Sequence, residues 1–169
     1  MHYFSSAAVI AVCLFQMVAG WSVVSAPSYP SVAGAGDAAA VEERLIARPL
    51  SASDWLSLAA ARLDEDKPYG TVLAALHMSF VTGPNEGSVM WQRGVFGLMQ
   101  WEFLSEEDRT AIARDVAGAI ADDADLAEAR VVIAAKPLAV RRDIAALLRR
   151  QGATLAKFTR LGLADEAAD

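Results

Sequence analysis

The sequence predicts an all-α protein, and three observations support that fold class. Alanine, which has the highest helix propensity, is abundant after the first 26 residues. Apolar side chains recur every three or four residues, and few segments alternate with the period of two that is typical of a strand. A chain of 169 residues provides one modest domain. We therefore expect one helical domain at residues 49–161, followed by a disordered tail at residues 162–169.

Residues 1–26 contain no Asp, Glu, Lys or Arg. The apolar run from Ala7 to Ala26 has the length of a membrane-spanning helix, about twenty residues. It also has the features of a secretory signal, with Val24 and Ala26 before a cleavage point. Both a cleaved signal peptide and a retained transmembrane anchor stay open. Either one predicts a domain outside the cytoplasm: periplasmic, secreted, or anchored to the inner membrane.

A spacer with a short helix is predicted at residues 27–48. The stretch PSYPSVAGAGDAAA carries two prolines and two glycines among small side chains. Such a composition favours a flexible linker, because it offers little apolar surface to bury. The following VEERLIAR, at residues 41–48, predicts a short helix that Pro49 ends.

Two helix hairpins are predicted at residues 51–120, which carry three of the four tryptophans. The first helix starts at Ser51 or Ser53, and Ser51 with Asp54 resembles a capping box. Pro68 suits the first turn of the second helix, since its missing N–H has no partner there.

The second hairpin follows the helix-ending sequence TGPN at residues 82–85, where Asn85 is the predicted cap of the third helix. The third helix, at residues 90–101, is apolar nearly all round, which predicts that it is the most buried. Ser105 is the predicted N-cap of the fourth helix, whose acidic first turn complements the helix dipole. Ile120 is expected to continue the core.

Two more helices and a final turn or two are predicted in the rest of the domain. The fifth starts near residues 123–125 and reaches Lys136, where Pro137 breaks the pattern. A sixth occupies residues 138–151. One or two final turns occupy residues 154–161.

The charges divide the chain into an acidic body and a basic extension. The net charge of −6 argues against a nucleic-acid binder. Residues 37–129 hold 17 acidic and 7 basic side chains, whereas residues 130–160 hold 8 basic and 1 acidic. The extension is predicted to be a basic amphipathic helix. It could dock on the acidic body, lie on an anionic membrane, or bind an acidic polysaccharide, and its basic face comprises Arg141, Arg142, Arg149, Arg150 and Lys157.

The sequence contains no motif that predicts catalysis, a metal or a cofactor. Cys and His residues lack metal-ligand spacing, no glycine-rich phosphate loop occurs, and no serine lies in a nucleophile elbow. His77 shares a helix face with Leu73 and Phe80, which predicts a core or half-buried position rather than a catalytic base. Glu102 and Glu106 are explained by helix starts and solvation. We therefore predict that the protein is not an enzyme, with a small glycan-processing or lytic enzyme as the alternative.

A cluster of polar and aromatic residues around the third helix is the candidate ligand-binding face. Aromatic rings stack on sugars or peptides, and amide and guanidinium groups supply oriented hydrogen bonds. The competing interpretation is that the tryptophans belong to the core. The candidate residues are Tyr69, Asn85, Gln92, Arg93 and Trp101.

A weak internal repeat relates the two hairpins. Trp55 and Trp91 lie 36 residues apart, each early in the first helix of a pair. The pattern Trp55-x-x-Leu58-Ala59 resembles the Trp-x-x-Leu-Gly of the tetratricopeptide repeat family, and Pro84 lies near the family's closing proline. The second unit keeps the tryptophan alone, and the family's tyrosine is replaced in both units.

This resemblance covers residues 51–120 and implies a stacked right-handed solenoid of antiparallel hairpins that acts as a protein-interaction scaffold. The same stretch is also similar to small helical proteins encoded beside bacterial exopolysaccharide and O-antigen genes. Trp101 lies outside the repeat, which makes it the preferred tryptophan for a binding surface. We predict a non-catalytic interaction module of the bacterial cell envelope that assists polysaccharide biosynthesis or export, with another envelope protein as partner. A peripheral membrane-binding domain is a further alternative.

Overall fold

The structure, a computed structural model, describes residues 37–166. That range is built from helices and contains no strand, so the all-α prediction is confirmed. The predicted leader at residues 1–26 lies outside the described residues. The helices are α1 (Ala38–Ala47), α2 (Ala52–Asp64), α3 (Tyr69–Thr82), α4 (Gly87–Met99), α5 (Glu106–Gly118), α6 (Asp123–Ala134), α7 (Leu138–Arg150) and α8 (Leu155–Leu161), with a 3₁₀ turn at Trp101–Phe103.

Local side-chain caps set several of the helix starts. The Ser51 hydroxyl accepts a hydrogen bond from the backbone N–H of Asp54, and the Ser105 hydroxyl accepts one from that of Asp108. Both caps confirm the sequence prediction, since each satisfies an N–H that the first helical turn leaves without a partner. The predicted cap at Asn85 is wrong: Glu86 occupies that position in α4, and its side chain makes no capping bond.

Each of the main helix contacts is either between helices that are consecutive in the chain or between helices two apart in the chain order. Helix α2 packs along α3, α4 packs along α5, and α1 packs on α2. Beyond these pairs, α2 contacts α4, α4 contacts α6, and α6 contacts α8, while α5 contacts α7. A continuous apolar core runs through these contacts, and its fully buried side chains include Leu56, Leu76, Ile112, Ile133 and Ile144.

Two glycines of α4 allow a close approach to α5. A Cβ atom on Gly97 would lie 2.4 Å from Cδ1 of Ile112, and one on Gly94 would lie 2.7 Å from Cγ2 of Val116. Carbon atoms do not approach so closely without displacement. The pair Gly94 and Gly97 therefore lets the branched side chains of α5 rest directly on the α4 backbone.

Three sequence predictions about the edges of the domain need correction. Ile120 is 94% exposed, because α5 ends at Gly118 and Ile120 lies in the following loop. The short helix predicted within the linker is present as α1 and begins earlier, at Ala38, but its Val41 is fully buried, so α1 is part of the packed body. Leu163, assigned to a disordered tail, is also fully buried. Among residues 37–166, no helix has both the length and the apolar content that crossing a bilayer demands.

Candidate functional site

Trp101 lies in the core rather than on a binding surface. Its side chain is 1% exposed, and the indole Nε1 donates a hydrogen bond to Oδ2 of Asp143 at 2.9 Å. The guanidinium of Arg109 lies 6.0 Å from the centre of the ring and donates to the Trp101 carbonyl. The prediction that Trp101 faces a ligand is wrong, because the 3₁₀ turn after α4 directs the ring toward α7.

Arg93 is also buried, so its assignment to a ligand-binding face is wrong. Its Nε donates to Oδ2 of Asp115 at 2.7 Å, and both side chains are fully buried. Its Nη1 donates to the carbonyls of Ser79 and Gly83, at 2.8 and 2.9 Å, at the end of α3. Burial raises the pKa of Asp115, and the hydrogen bond and charge of Arg93 offset part of that increase. Arg93 thus binds α3 to α5 within the core.

The other three candidate residues do not complete the predicted face. Tyr69 is half-buried, its ring lies 5.7 Å from that of Phe103, and burial, together with the nearby charge of Asp108, raises the pKa of its hydroxyl. Gln92 is half-buried in α4, and Asn85 is exposed in the loop before α4. Because Arg93 and Trp101 lie in the core, the five side chains do not share an exposed concave surface.

The basic extension docks on the body of the same chain. Lys157 Nζ donates to the carbonyls of Val116, Ala117 and Ala119, each at 2.9 Å, and burial lowers its pKa. Nε of Arg141 lies 3.2 Å from the Glu166 carboxylate. The contacts of Lys157 correspond to the internal-docking alternative through backbone carbonyls of α5 and its following loop, whereas Arg141 pairs with Glu166 beyond the acidic body.

The other basic residues of that face contact Glu166 or lie at the protein surface. Nη2 of Arg149 donates to the backbone carbonyl of Glu166, whereas Arg142 and Arg150 are exposed. The apolar face of α7 is occupied by the core, since Ile144 and Leu148 are buried. Helix α7 therefore turns these side chains to the core and not to a membrane, whereas Leu138 and Leu155 of the same extension are 48% and 73% exposed.

The sequence did not predict an open groove between α3 and α5. The groove has a volume of about 870 Å³ and lies beside the loop that follows α7. We call it the α3–α5 groove. Its lining residues are His77, Phe80, Val81, Ser105, Glu106, Glu107, Asp108, Thr110, Ala111, Arg114 and Gln151.

The lining of the α3–α5 groove contains a hydrogen-bonded set of three side chains. His77 Nε2 lies 2.6 Å from Oδ1 of Asp108, and the Ser105 hydroxyl donates to Oδ2 at 2.7 Å. Burial alone would raise the pKa of Asp108, but the hydrogen bonds from Ser105 and His77 outweigh it and hold that pKa below its usual value. The carboxylate lies between the other two groups. A nucleophilic triad instead places the imidazole in the middle, next to the hydroxyl.

The side chains at the rim of the α3–α5 groove are mainly acidic. Glu106 and Glu107 are exposed in the first turn of α5, and neither forms an ion pair with a cation of residues 37–166. Arg114 is the only lysine or arginine in the lining. Among the described residues no cluster of three or more histidine, cysteine, aspartate or glutamate side chains has the arrangement of a metal site.

Sequence analysis missed the α3–α5 groove because each of its residues had another explanation. The helical spacing assigned His77 and Phe80 to a buried or half-buried face, yet the His77 side chain is 54% exposed. The helix dipole explained Glu106 and Glu107, and a lone exposed valine such as Val81 is common on protein surfaces. No local signal indicates that these residues meet.

Comparison with known proteins adds no further constraint on this groove. No protein-family model matches the chain, and neither a curated protein nor a solved structure matches it significantly.

Proposed function

We propose that the chain is a non-catalytic interaction module that binds a partner protein through the α3–α5 groove. The observation that carries this proposal is the groove itself, which is open, about 870 Å³ in volume, and lined by both apolar and charged side chains. Concave surfaces of this kind, with a few oriented polar groups, are typical of binding sites. The three hydrogen-bonded side chains in its lining lack the order that nucleophilic catalysis requires.

We further propose that the module is a degenerate helical repeat of the tetratricopeptide kind, stacked as a solenoid. The contacts of α2 with α4, α4 with α6 and α6 with α8 support this, since stacked hairpins bring every second helix together. Trp55 and Trp91 also lie near the starts of α2 and α4. The pair α6 and α7 departs from the pattern, because those two helices pack only loosely on each other.

The cell envelope is the proposed place of action, with polysaccharide biosynthesis or export as the process that the module assists. The uncharged N-terminal stretch of the sequence supports export or anchoring. The proposed partner is another envelope protein. N-terminal sequencing of the mature protein tests the location, since a start at Pro27 indicates cleavage after Ala26.

Site-specific photocrosslinking in the producing cells tests the interaction. A photoreactive amino acid replaces Val81, which lines the α3–α5 groove and is 71% exposed. The matched control replaces Val131, which is equally exposed but lies on α6, outside the groove lining. We expect a discrete adduct with one envelope protein from position 81 and none from position 131, with the partner identified by mass spectrometry. Equal adducts from both positions, or none from either, would contradict the proposal.

A second candidate function is a small glycan-processing enzyme, which the exposed imidazole of His77 in the α3–α5 groove favours. Hydrogen bonding to a carboxylate orients an imidazole for general acid or base chemistry. His77→Gln separates the two candidates when glycan turnover and fold are measured together. A turnover activity that this variant loses while its helical content is retained would replace the interaction module with the enzyme.

A further inference from the structure

We infer that the α3–α5 groove receives a short segment of the partner protein in which a lysine or arginine lies beside apolar side chains. This inference rests on the proposed function and adds the chemistry of the partner. Three properties of the groove carry it: unpaired carboxylates, a fixed aromatic wall beside an exposed apolar side chain, and a limited volume.

The charge of the groove favours a basic segment. Glu106, Glu107 and Asp108 contribute three carboxylates, whereas Arg114 contributes the one guanidinium of the lining. Asp108 already accepts bonds from His77 and Ser105, but Glu106 and Glu107 have no cationic partner among residues 37–166. The helix dipole accounts for acids in the first turn of α5, but not for their position beside an exposed apolar wall.

That apolar wall is supported from within the core. The Arg93 guanidinium lies 4.5 Å from the centre of the Phe80 ring and is itself held by Asp115 and by the carbonyls of Ser79 and Gly83. Phe80 is therefore fixed before any ligand arrives. Next to it, Val81 is 71% exposed in the lining of the groove.

A basic side chain suits this combination better than any other common group. The aliphatic part of lysine or arginine packs along apolar surface while its charged end stays near water or a carboxylate. Here the stem would lie along Phe80 and Val81, with the charge near Glu106 and Glu107. An acidic polysaccharide or an anionic membrane would meet the two free carboxylates with repulsion.

The size of the α3–α5 groove limits the number of side chains that it receives. Its volume of about 870 Å³ accommodates a few side chains. Sites of roughly 300–1,000 Å³ typically enclose a ligand of drug-like size. A linear segment of a partner that offers one basic and one or two apolar side chains fits these limits.

Peptide binding to the full chain, purified in mild detergent, tests the inference. The probes are fluorescein-labelled heptapeptides of sequence GLKLKLG, GLELELG and GSKSKSG, measured by fluorescence anisotropy at low salt. We expect GLKLKLG to bind, and the acidic and the apolar-depleted peptides to bind at least tenfold more weakly. The double variant Glu106→Gln/Glu107→Gln should weaken GLKLKLG binding roughly tenfold, since two exposed ion pairs are lost.

The matched control is Glu43→Gln/Asp64→Asn, which removes two exposed carboxylates from α1 and α2. It should leave the affinity unchanged, and circular dichroism should show that both double variants stay folded. The inference is overturned if GLKLKLG does not bind, if both double variants weaken it equally, or if the acidic polysaccharide alginate binds the groove instead. The crosslinking experiment separates this inference from the proposed function. If the peptide test fails but position 81 still forms an adduct with one envelope protein, only the inference is overturned. If position 81 forms no adduct, the proposed function and the inference are both overturned.

Discussion

His77 and Asp108 form a hydrogen bond between the two helix hairpins, with 2.6 Å between Nε2 and Oδ1. His77 belongs to α3 and Asp108 to α5, and the pair lies in the α3–α5 groove. The imidazole is 54% exposed, whereas the carboxylate is 9% exposed. One partner is therefore available to a ligand while the other is held by the protein, and Ser105 fixes the remaining carboxylate oxygen.

Asp108→Asn is expected to lower the free energy of unfolding at pH 6 by about 1–3 kcal/mol, because hydrogen bonds to a charged group are lost. The folded-state pKa of Asp108 lies below its usual value of 3.8. Its contribution is therefore present above the unfolded-state pKa, and it is lost as the pH falls through the lowered folded-state pKa. Urea unfolding of both proteins should show a difference that shrinks below about pH 4.

The control for this measurement is Asp64→Asn, a substitution of an exposed carboxylate near the end of α2. Its stability should track that of the unsubstituted protein across the same pH range. The Asp108 carboxylate would not be stabilising if the difference in unfolding free energy between Asp108→Asn and the unsubstituted protein stayed constant down to about pH 2.5, or grew in acid.

The buried pair of Arg93 and Asp115 predicts a pronounced asymmetry between single and double variants. Asp115→Leu leaves the Arg93 guanidinium buried without its carboxylate, and such a loss costs about 3–5 kcal/mol. The double variant Arg93→Met/Asp115→Leu removes both charges, so it should be more stable than Asp115→Leu alone. Denaturant unfolding of the four proteins of the cycle measures the coupling. Additive effects of the two substitutions would show that the pair contributes no specific interaction.

Lys157 is expected to stabilise the C-terminal end of α5. Lys157→Met keeps the aliphatic stem but leaves three carbonyls, of Val116, Ala117 and Ala119, without their charged donor. We expect a loss of about 2–3 kcal/mol in the free energy of unfolding, measured by urea denaturation. Lys67→Met, at an exposed lysine paired with Glu65, should change it by less than about 0.5 kcal/mol. Equal effects of the two substitutions would contradict the capping role.

The features that sequence analysis predicted are those set by neighbours in the chain. The caps at Ser51 and Ser105 each involve a backbone N–H three residues ahead, so the pattern that creates the bond is visible in the sequence. The helix succession was predictable for the same reason. Apolar periodicity, proline and glycine act within one or two turns.

The features that it missed depend on distant partners. Arg93 meets Asp115 22 residues later, and Trp101 meets Asp143 42 residues later. Nothing in the composition around Arg93 or Trp101 indicates those partners, so both residues resembled free ligand-binding groups. The α3–α5 groove has the same origin, since its lining brings together α3, α5 and Gln151 after α7, which lie far apart in the sequence. Periodicity identifies which faces are apolar, but it does not identify the face that each one meets.

Gly97 offers a test of the close contact between α4 and α5. Gly97→Ala places a methyl group 2.4 Å from the Ile112 side chain, so the helices must separate or Ile112 must leave its position. Overpacking of this kind costs about 1–3 kcal/mol.

The control is Gly70→Ala, in the first turn of α3, where no atom lies within 4 Å of the new methyl group. It should be neutral or stabilise the protein by up to about 1 kcal/mol. Ile112→Ala removes Cγ1, Cγ2 and Cδ1, which all lie within 2.8 Å of the new methyl group, and should recover part of the loss in the Gly97→Ala background, although it lowers stability on its own. Thermal and urea unfolding of the five proteins measure these differences, and a Gly97→Ala variant as stable as Gly70→Ala would show that α4 and α5 are not packed at backbone contact.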